Sequence, residues 1–251
     1  MQRSPDYEQE PGQNDGKELP ATQNRHTHRY SLPKKTSRYR ERTVMKTSIF
    51  IDGGFLKSKY RQYNNSFPNA EEVASICNEK IMGSVQLKDD FLFRIHYYDC
   101  HPYAGHITDP ATGETVDYSQ TPSARAQDNF LLRLSEQEKF FMQVGELVFN
   151  GWRLPPDKIE EILSAGANLS SQDLIPDFRQ KQVDINIGLD IAWLATTHMV
   201  DKLVLIAGDS DLTPAMAFAR RHGLLVYLAT LGQTVKQEMI RNSDGLINIF
   251  I

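Results

Sequence analysis

The 251 residues contain only two cysteines, Cys77 and Cys100, too few for a disulfide framework. There is no secretory apolar region and no run long enough to span a bilayer. These absences point to a soluble, reducing, cytoplasmic setting away from any membrane. Net positive charge is also missing: the formal charge is -4. Residues 1–46 hold ten Lys and Arg against six Asp and Glu, leaving 18 against 26 for the rest. An acidic body is not an obvious polyanion binder, so a nucleic-acid ligand would need metal ions and local basic patches to offset repulsion. No internal repeat is present.

The chain is 40% hydrophobic, enough for one substantial core. Residues 1–44 are rich in Gln, Asn, Pro, Ser, Thr and charge and read as a disordered tail. Their basic run Lys34–Arg42 is more simply a solvated segment than a contact for RNA or an acidic partner. Met45 stands just before the first structured element and marks a candidate start for a shorter product. The division expected is thus a tail over 1–45 and one domain over 46–251.

The most informative stretch is Leu203–Leu212, LVLIAGDSDL. Its short apolar run, bounded by charge and glycine, predicts a strand buried on both faces in the middle of a parallel sheet. Gly208 allows a sharp exit, and Asp209 and Asp211 come next, where ligands meet open α/β sheets. Asp211 is expected to cap a helix from Leu212 to His222, with Pro214 in its first turn. Similar runs predict strands at Thr47–Asp52, Phe91–Tyr98, Glu146–Asn150, Leu224–Ala229 and Leu246–Ile251. Helical spacing predicts helices from Phe55, over Glu71–Met82, Ala124–Val144, Pro155–Leu163, Asp184–His198 and Val235–Arg241; Pro102–Thr121 and Ala165–Pro176 read as loops. This alternation predicts a three-layer α/β domain with a mainly parallel central sheet flanked by helices.

Asp52, followed by Gly53 and Gly54, ends the first strand, and Asp184 opens a helix. With Asp209 and Asp211 they place carboxylates at three points where elements meet the crevice. Each has a plain local reading, a cap or a favourable first-turn charge. Together they are costly unless a cation sits among them, and oxygen ligands suit Mg²⁺ or Mn²⁺. Such a site performs metal-dependent phosphodiester hydrolysis without a serine or cysteine nucleophile. Gly188 shares the Asp184 face and is expected to let that helix lie close to the sheet.

SIFIDGGFL (48–56), KQVDINIGLDIAWLA (181–195) and LVLIAGDSDLTPAMAFARRHG (203–223) resemble the signature blocks of the NYN domain, LabA-like branch, of the PIN-like nuclease superfamily. The resemblance implies a PIN-like fold and a metal-dependent endoribonuclease. Asp52, Asp184, Asp209 and Asp211 match its acidic positions, and Lys181 its basic residue. RNA is the implied partner, with a homodimer or a protein partner also open. Residues 101–123 and 151–180 are longer than a minimal domain needs and could cover the cleft.

Lys57, Lys59, Arg61, Arg179 and Lys181 flank the expected cleft mouth and could engage RNA phosphates, with Phe55 or Tyr60 stacking a base; solvated helix faces explain them equally well. Ser210 and Thr213 lie beside the acids as hydrogen-bonding groups, and Asp190 and Asp99 are outer-shell candidates. His96, Cys100, His101 and His106 fit no standard zinc spacing. Trp193, Leu194, Ala192 and Ala195 read as core. Two competing functions are a non-catalytic regulatory module of the same fold and a small-molecule phosphohydrolase with Asp52 as nucleophile. The second lacks the usual aspartate two residues later, because position 54 is glycine.

Overall fold

The computed structural model describes residues 44–251 except residue 167. The tail expected over 1–44, Val44 apart, and the basic run within it lie outside the described residues.

Strand β1 (Lys46–Asp52) pairs in parallel with β2 (Phe91–Cys100) on one side and β7 (Lys202–Ile206) on the other. Beyond β7 lie β8 (Leu225–Ala229) and the two-residue β9 (Gly245–Leu246), both parallel. Beyond β2 lies the long β5 (Phe140–Arg153), parallel to it, and then β6 (Ile175–Lys181), antiparallel at the edge. The order is β6-β5-β2-β1-β7-β8-β9, and β3 (His106–Thr108) and β4 (Thr115–Asp117) form a separate antiparallel hairpin.

The central runs are apolar at successive positions because both faces are covered. Ile49 and Ile51 point into a core that holds Leu56 of α1 (Gly53–Asn64), Val73 of α2 (Ala70–Ser75) and Leu134 of α3 (Pro122–Ser135). Phe50 points the other way, packing in the cluster of Ile187 and Ile191 of α5 (Val183–Thr197) and Met216 of α6 (Thr213–Arg221). Each fully buried Ile or Leu contributes about 1.5–3 kcal/mol relative to exposure. The expected three-layer architecture is therefore observed. Helices α4 (Pro156–Ala165) and α7 (Gln237–Arg241) complete the set.

Several local expectations are corrected. The helix expected over Ala124–Val144 ends at Ser135, and Phe140–Val144 belongs to β5, where Phe140 and Met142 pack on the first core. Tertiary pairing with β2 overrides the helical spacing there. Pro102–Thr121 is not wholly loop, since it holds the β3–β4 hairpin, and Ala165–Pro176 runs into β6. The helix over Glu71–Met82 changes at Ile76 to a wider π turn through Ile81. The closing strand shrinks to Gly245–Leu246. Trp193, expected in the core, is 50% exposed; Ile187, Ile191 and Leu194 take the sheet-facing positions, and a residue two beyond Ile191 is rotated about 200° around the helix. Gly188 faces α6 rather than the sheet, its nearest outside neighbour being Ala215 at 3.9 Å from where a Cβ would stand.

Candidate active site

The chain passes from β1 to β2 on one side of β1, whereas β7 and β8 lie on the other. The connections thus diverge between β1 and β7, and a sheet opens its ligand crevice at the carboxyl ends flanking such a point. Asp52 is the last residue of β1, and Asp209 lies three residues beyond β7. Both line an open cleft of about 530 Å³ together with Phe55, Gln180, Gln233 and Lys236.

Local backbone chemistry holds these two acids. Asp52 Oδ1 accepts from the Phe55 amide at 3.0 Å and caps α1. The turn is tight: a Cβ on Gly53 would lie 2.6 Å from the Tyr97 hydroxyl and 2.8 Å from the Tyr98 carbonyl oxygen, so a side chain there forces the backbone to move. Asp209 Oδ1 accepts from the Asp211 amide at 2.9 Å, capping the single 3-10 turn Ser210–Leu212. This reverses the expectation for the pair. Asp209 is still extended (φ -85°, ψ 125°), so its carboxylate can reach back to the turn, whereas Asp211 already lies inside it.

Asp184 sits in the first turn of α5 behind Gln182, whose left-handed φ of 72° ends the run from β6. The carboxyl end of β6 passes close to Gly145 of β5, where any Cβ would collide with the Lys181 carbonyl. Electrostatics tie the acids together. Burial, with repulsion from Asp184 and Asp99, raises Asp52 to about 6 despite hydrogen bonds from the Phe55 and Gly54 amides. Partial burial raises Asp184 as well, and Asp209 and Asp211 add to the rise. Asp184 therefore lies within electrostatic range of the other three.

The donor set suits a hard divalent cation. Among the described residues, however, no three His, Cys, Asp or Glu side chains stand together closely enough to hold one ion. Asp184, Asp209 and Asp211 remain partly open to solvent.

The basic candidates distribute differently. Lys57 points inward to the almost fully buried Asp99 at 2.7 Å, and also donates to Gln127 at 3.1 Å. Asp99 further accepts from the Tyr97 hydroxyl, the Gln127 amide and the Cys100 backbone amide. It thus belongs to a buried ion pair beside the cleft. Lys59 bonds Gln62 on its own helix, Arg61 lies over the Phe67 ring, and Arg179 pairs with Asp177 at 3.1 Å. Lys181 is exposed at the end of β6. None of these four lines the acidic cleft.

Among the described residues, the cation that does line it is Lys236, which donates to Ser210 Oγ at 2.9 Å. Lys236 and Gln180 escaped the sequence reading. The available signal was position: Lys236 comes after β8, the next parallel strand, on its carboxyl side. Asp190 accepts from the Tyr98 hydroxyl at 2.8 Å, which anchors α5 to β2. Among the described residues the Thr213 hydroxyl is buried without a partner. The four residues weighed for zinc do not converge: burial, reinforced by Arg94, holds His96 at about 4, Cys100 Sγ donates to the Glu146 carbonyl, His101 faces Asp128 and His106 faces Asp117.

Among the described residues no helix is long and apolar enough to cross a membrane. No curated protein matches the chain. A crystal structure of a protein of unknown function from Vibrio parahaemolyticus is similar at 14% identity and a TM-score of 0.46, covering 82% of this chain and 93% of that one. Residues 139–250, which include Asp184, Asp209 and Asp211 but not Asp52, match the family model of the NYN domain.

Proposed function

We propose that the chain is a metal-dependent endoribonuclease of the LabA-like branch of NYN proteins, with Mg²⁺ or Mn²⁺ held by Asp52, Asp184, Asp209 and Asp211. The observation that carries this reading is that Asp52 and Asp209 line one open cleft at the carboxyl ends of β1 and β7, with Asp184 near enough to raise Asp52. Uncompensated acids at such a point are destabilising, and a divalent cation relieves them. When bound, the ion supplies an activated water near neutral pH and neutralises charge on the phosphoryl oxygen.

The protein's own groups prepare the site. The Phe55 amide fixes one oxygen of Asp52, and the Asp211 amide fixes one of Asp209, so two ligands are oriented before RNA arrives. The Lys236 ammonium, beside Ser210 in the same cleft, offers a positive contact to a phosphate. Asp184, in the first turn of α5, adds its charge within electrostatic range of Asp52 and Asp209.

The test is cleavage of labelled RNAs with Mn²⁺, Mg²⁺ or EDTA, with Asp209→Asn as control. Cleavage that requires the ion and disappears in the variant supports the proposal. Undiminished cleavage by the variant refutes it. The second reading, a non-catalytic RNA- or protein-binding module, is favoured by the absence of a closed three-ligand cluster among the described residues. Metal-independent RNA binding without turnover would select it.

A further inference from the structure

Next to the acidic cleft lies a second cavity of about 300 Å³, at the small end of the range for ligand pockets. Three rings form one corner of it. Tyr118, just after the β3–β4 hairpin, and Phe178 on β6 have centroids 5.2 Å apart at 62°. Tyr103, from the loop after β2, is 5.4 Å from Phe178 and 6.1 Å from Tyr118. No two of these three rings stack face to face. Phe149, paired with Phe178 across β5 and β6, backs this corner at 5.9 Å.

The charged groups of the lining and its histidine are paired, His101 with Asp128 at 3.4 Å. Lys57 and Asp99 neutralise one another, and Gln127 is spent on both of them and on the Cys100 carbonyl. Such a pocket gives no anchor to a phosphate and suits a neutral planar group with hydrogen-bonding edges. Donors and acceptors for such edges are at hand: among the described residues the Tyr103 and Tyr118 hydroxyls and the Gln180 amide make no hydrogen bond.

Gln180 supplies the connection. It lines both this cavity and the acidic cleft. Its amide also lies over the turn at Gly54, whose hypothetical Cβ would be 3.3 Å from the Gln180 amide oxygen and 3.4 Å from an oxygen of Asp52. A group in the aromatic corner is therefore one side chain away from the acids.

We infer that this cavity receives an unstacked nucleobase of the strand whose phosphate lies in the acidic cleft, with Phe178 as stacking platform and Gln180 as reader of the base edge. This deepens the proposed function and rests on its choice of nucleic acid as ligand. Residues 101–123, longer than a minimal domain needs, then serve to build a base-binding wall beside the cleft.

The experiment measures binding of short labelled single-stranded oligoribonucleotides of each base composition by fluorescence anisotropy in EDTA, with 5′-mononucleotides as competitors. The proteins are wild type, Phe178→Ala, Phe178→Trp, Gln180→Ala and Asp209→Asn, with thermal unfolding recorded for each. Loss of one base stack is expected to weaken binding roughly 5- to 150-fold in Phe178→Ala. Phe178→Trp should bind within about threefold of wild type, and Gln180→Ala should alter the ranking of the four bases. Competition by mononucleotides would identify a free nucleotide as sufficient ligand, and binding of oligonucleotides alone would assign the pocket to a strand; either supports a base site.

Unchanged affinity in folded Phe178→Ala overturns the inference, as does equal loss in Phe178→Trp and Phe178→Ala when both unfold at the wild-type temperature. Failure here is separable from failure of the hydrolytic reading. Ion-dependent cleavage with unaltered binding in Phe178→Ala removes only the pocket, whereas no cleavage with Phe178-dependent binding removes only the hydrolysis.

Discussion

Replacing Asp52 by Asn tests the electrostatic design of the cleft without disturbing its scaffold. Asn retains an acceptor for the Phe55 amide, so the cap of α1 persists, and only the charge is removed. A carboxyl that ionises near pH 6 instead of 3.8 penalises the folded chain by up to about 3 kcal/mol once charged, at about 1.4 kcal/mol per pH unit. Between those two values the folded state holds more protons than the unfolded one, so wild-type stability falls as pH rises through this window and the loss is complete above the folded value. The expected result, by urea unfolding in EDTA, is that the two proteins agree within about 1 kcal/mol at pH 4, whereas the variant is more stable by about 2–3 kcal/mol at pH 8. Taking the difference between the proteins cancels the other titrating groups apart from the coupled Asp184 and Asp99. A difference independent of pH, or a variant less stable at pH 8, would refute the assignment of Asp52 as a half-buried, repelled acid.

Saturating Mn²⁺ should raise the wild-type melting temperature, since about 2.7 kcal/mol is gained at a hundredfold excess over Kd; Asp209→Asn should gain much less, and equal gains would place the ion elsewhere. Lys57→Ala leaves Asp99 charged and buried, and should cost about 3–5 kcal/mol by urea unfolding, with Asp99→Asn in the same chain restoring part of the loss. Leu194→Ala should cost about 2–5 kcal/mol, while Trp193→Ala, at an exposed position, should change stability by less than about 1 kcal/mol; similar losses at both positions would mean that Trp193 is covered in solution. Gly145→Ala pushes a methyl group at the Lys181 carbonyl and should weaken both stability and cation binding, read by the same melting assay.

The parallel core was legible because its evidence is local. The runs at 47–52, 203–207 and 224–229 are short, apolar and punctuated by Asp or Gly, and each appears as a strand within a residue or so of expectation. Phe140–Val144 was not legible. Its apolar residues come after a long amphipathic helix and fit that period, and only the register with Ile95–Asp99 of β2 makes it a strand. Strand β6 was hidden for a related reason: IPDFRQK carries little apolar alternation, because an edge strand needs only one partner. At the site, the positions of the four aspartates in the chain were plain. Which of Asp209 and Asp211 makes the cap, and that Lys57 is consumed by Asp99, depended on backbone direction and on a contact between separate elements.

The positions along the chain of the buried strands and of the aspartates at their ends were determined by the sequence alone, since a short apolar run stopped by a polar or glycine residue marks both the strand and the turn that ends it. Only the tertiary structure decided which acids repel one another, which lysine faces the cleft and which rings from β6 and the 101–123 segment share a corner. Strand order and register are long-range properties: they bring Asp52, Asp184 and Asp209 to one edge of the sheet, although no local pattern connects them.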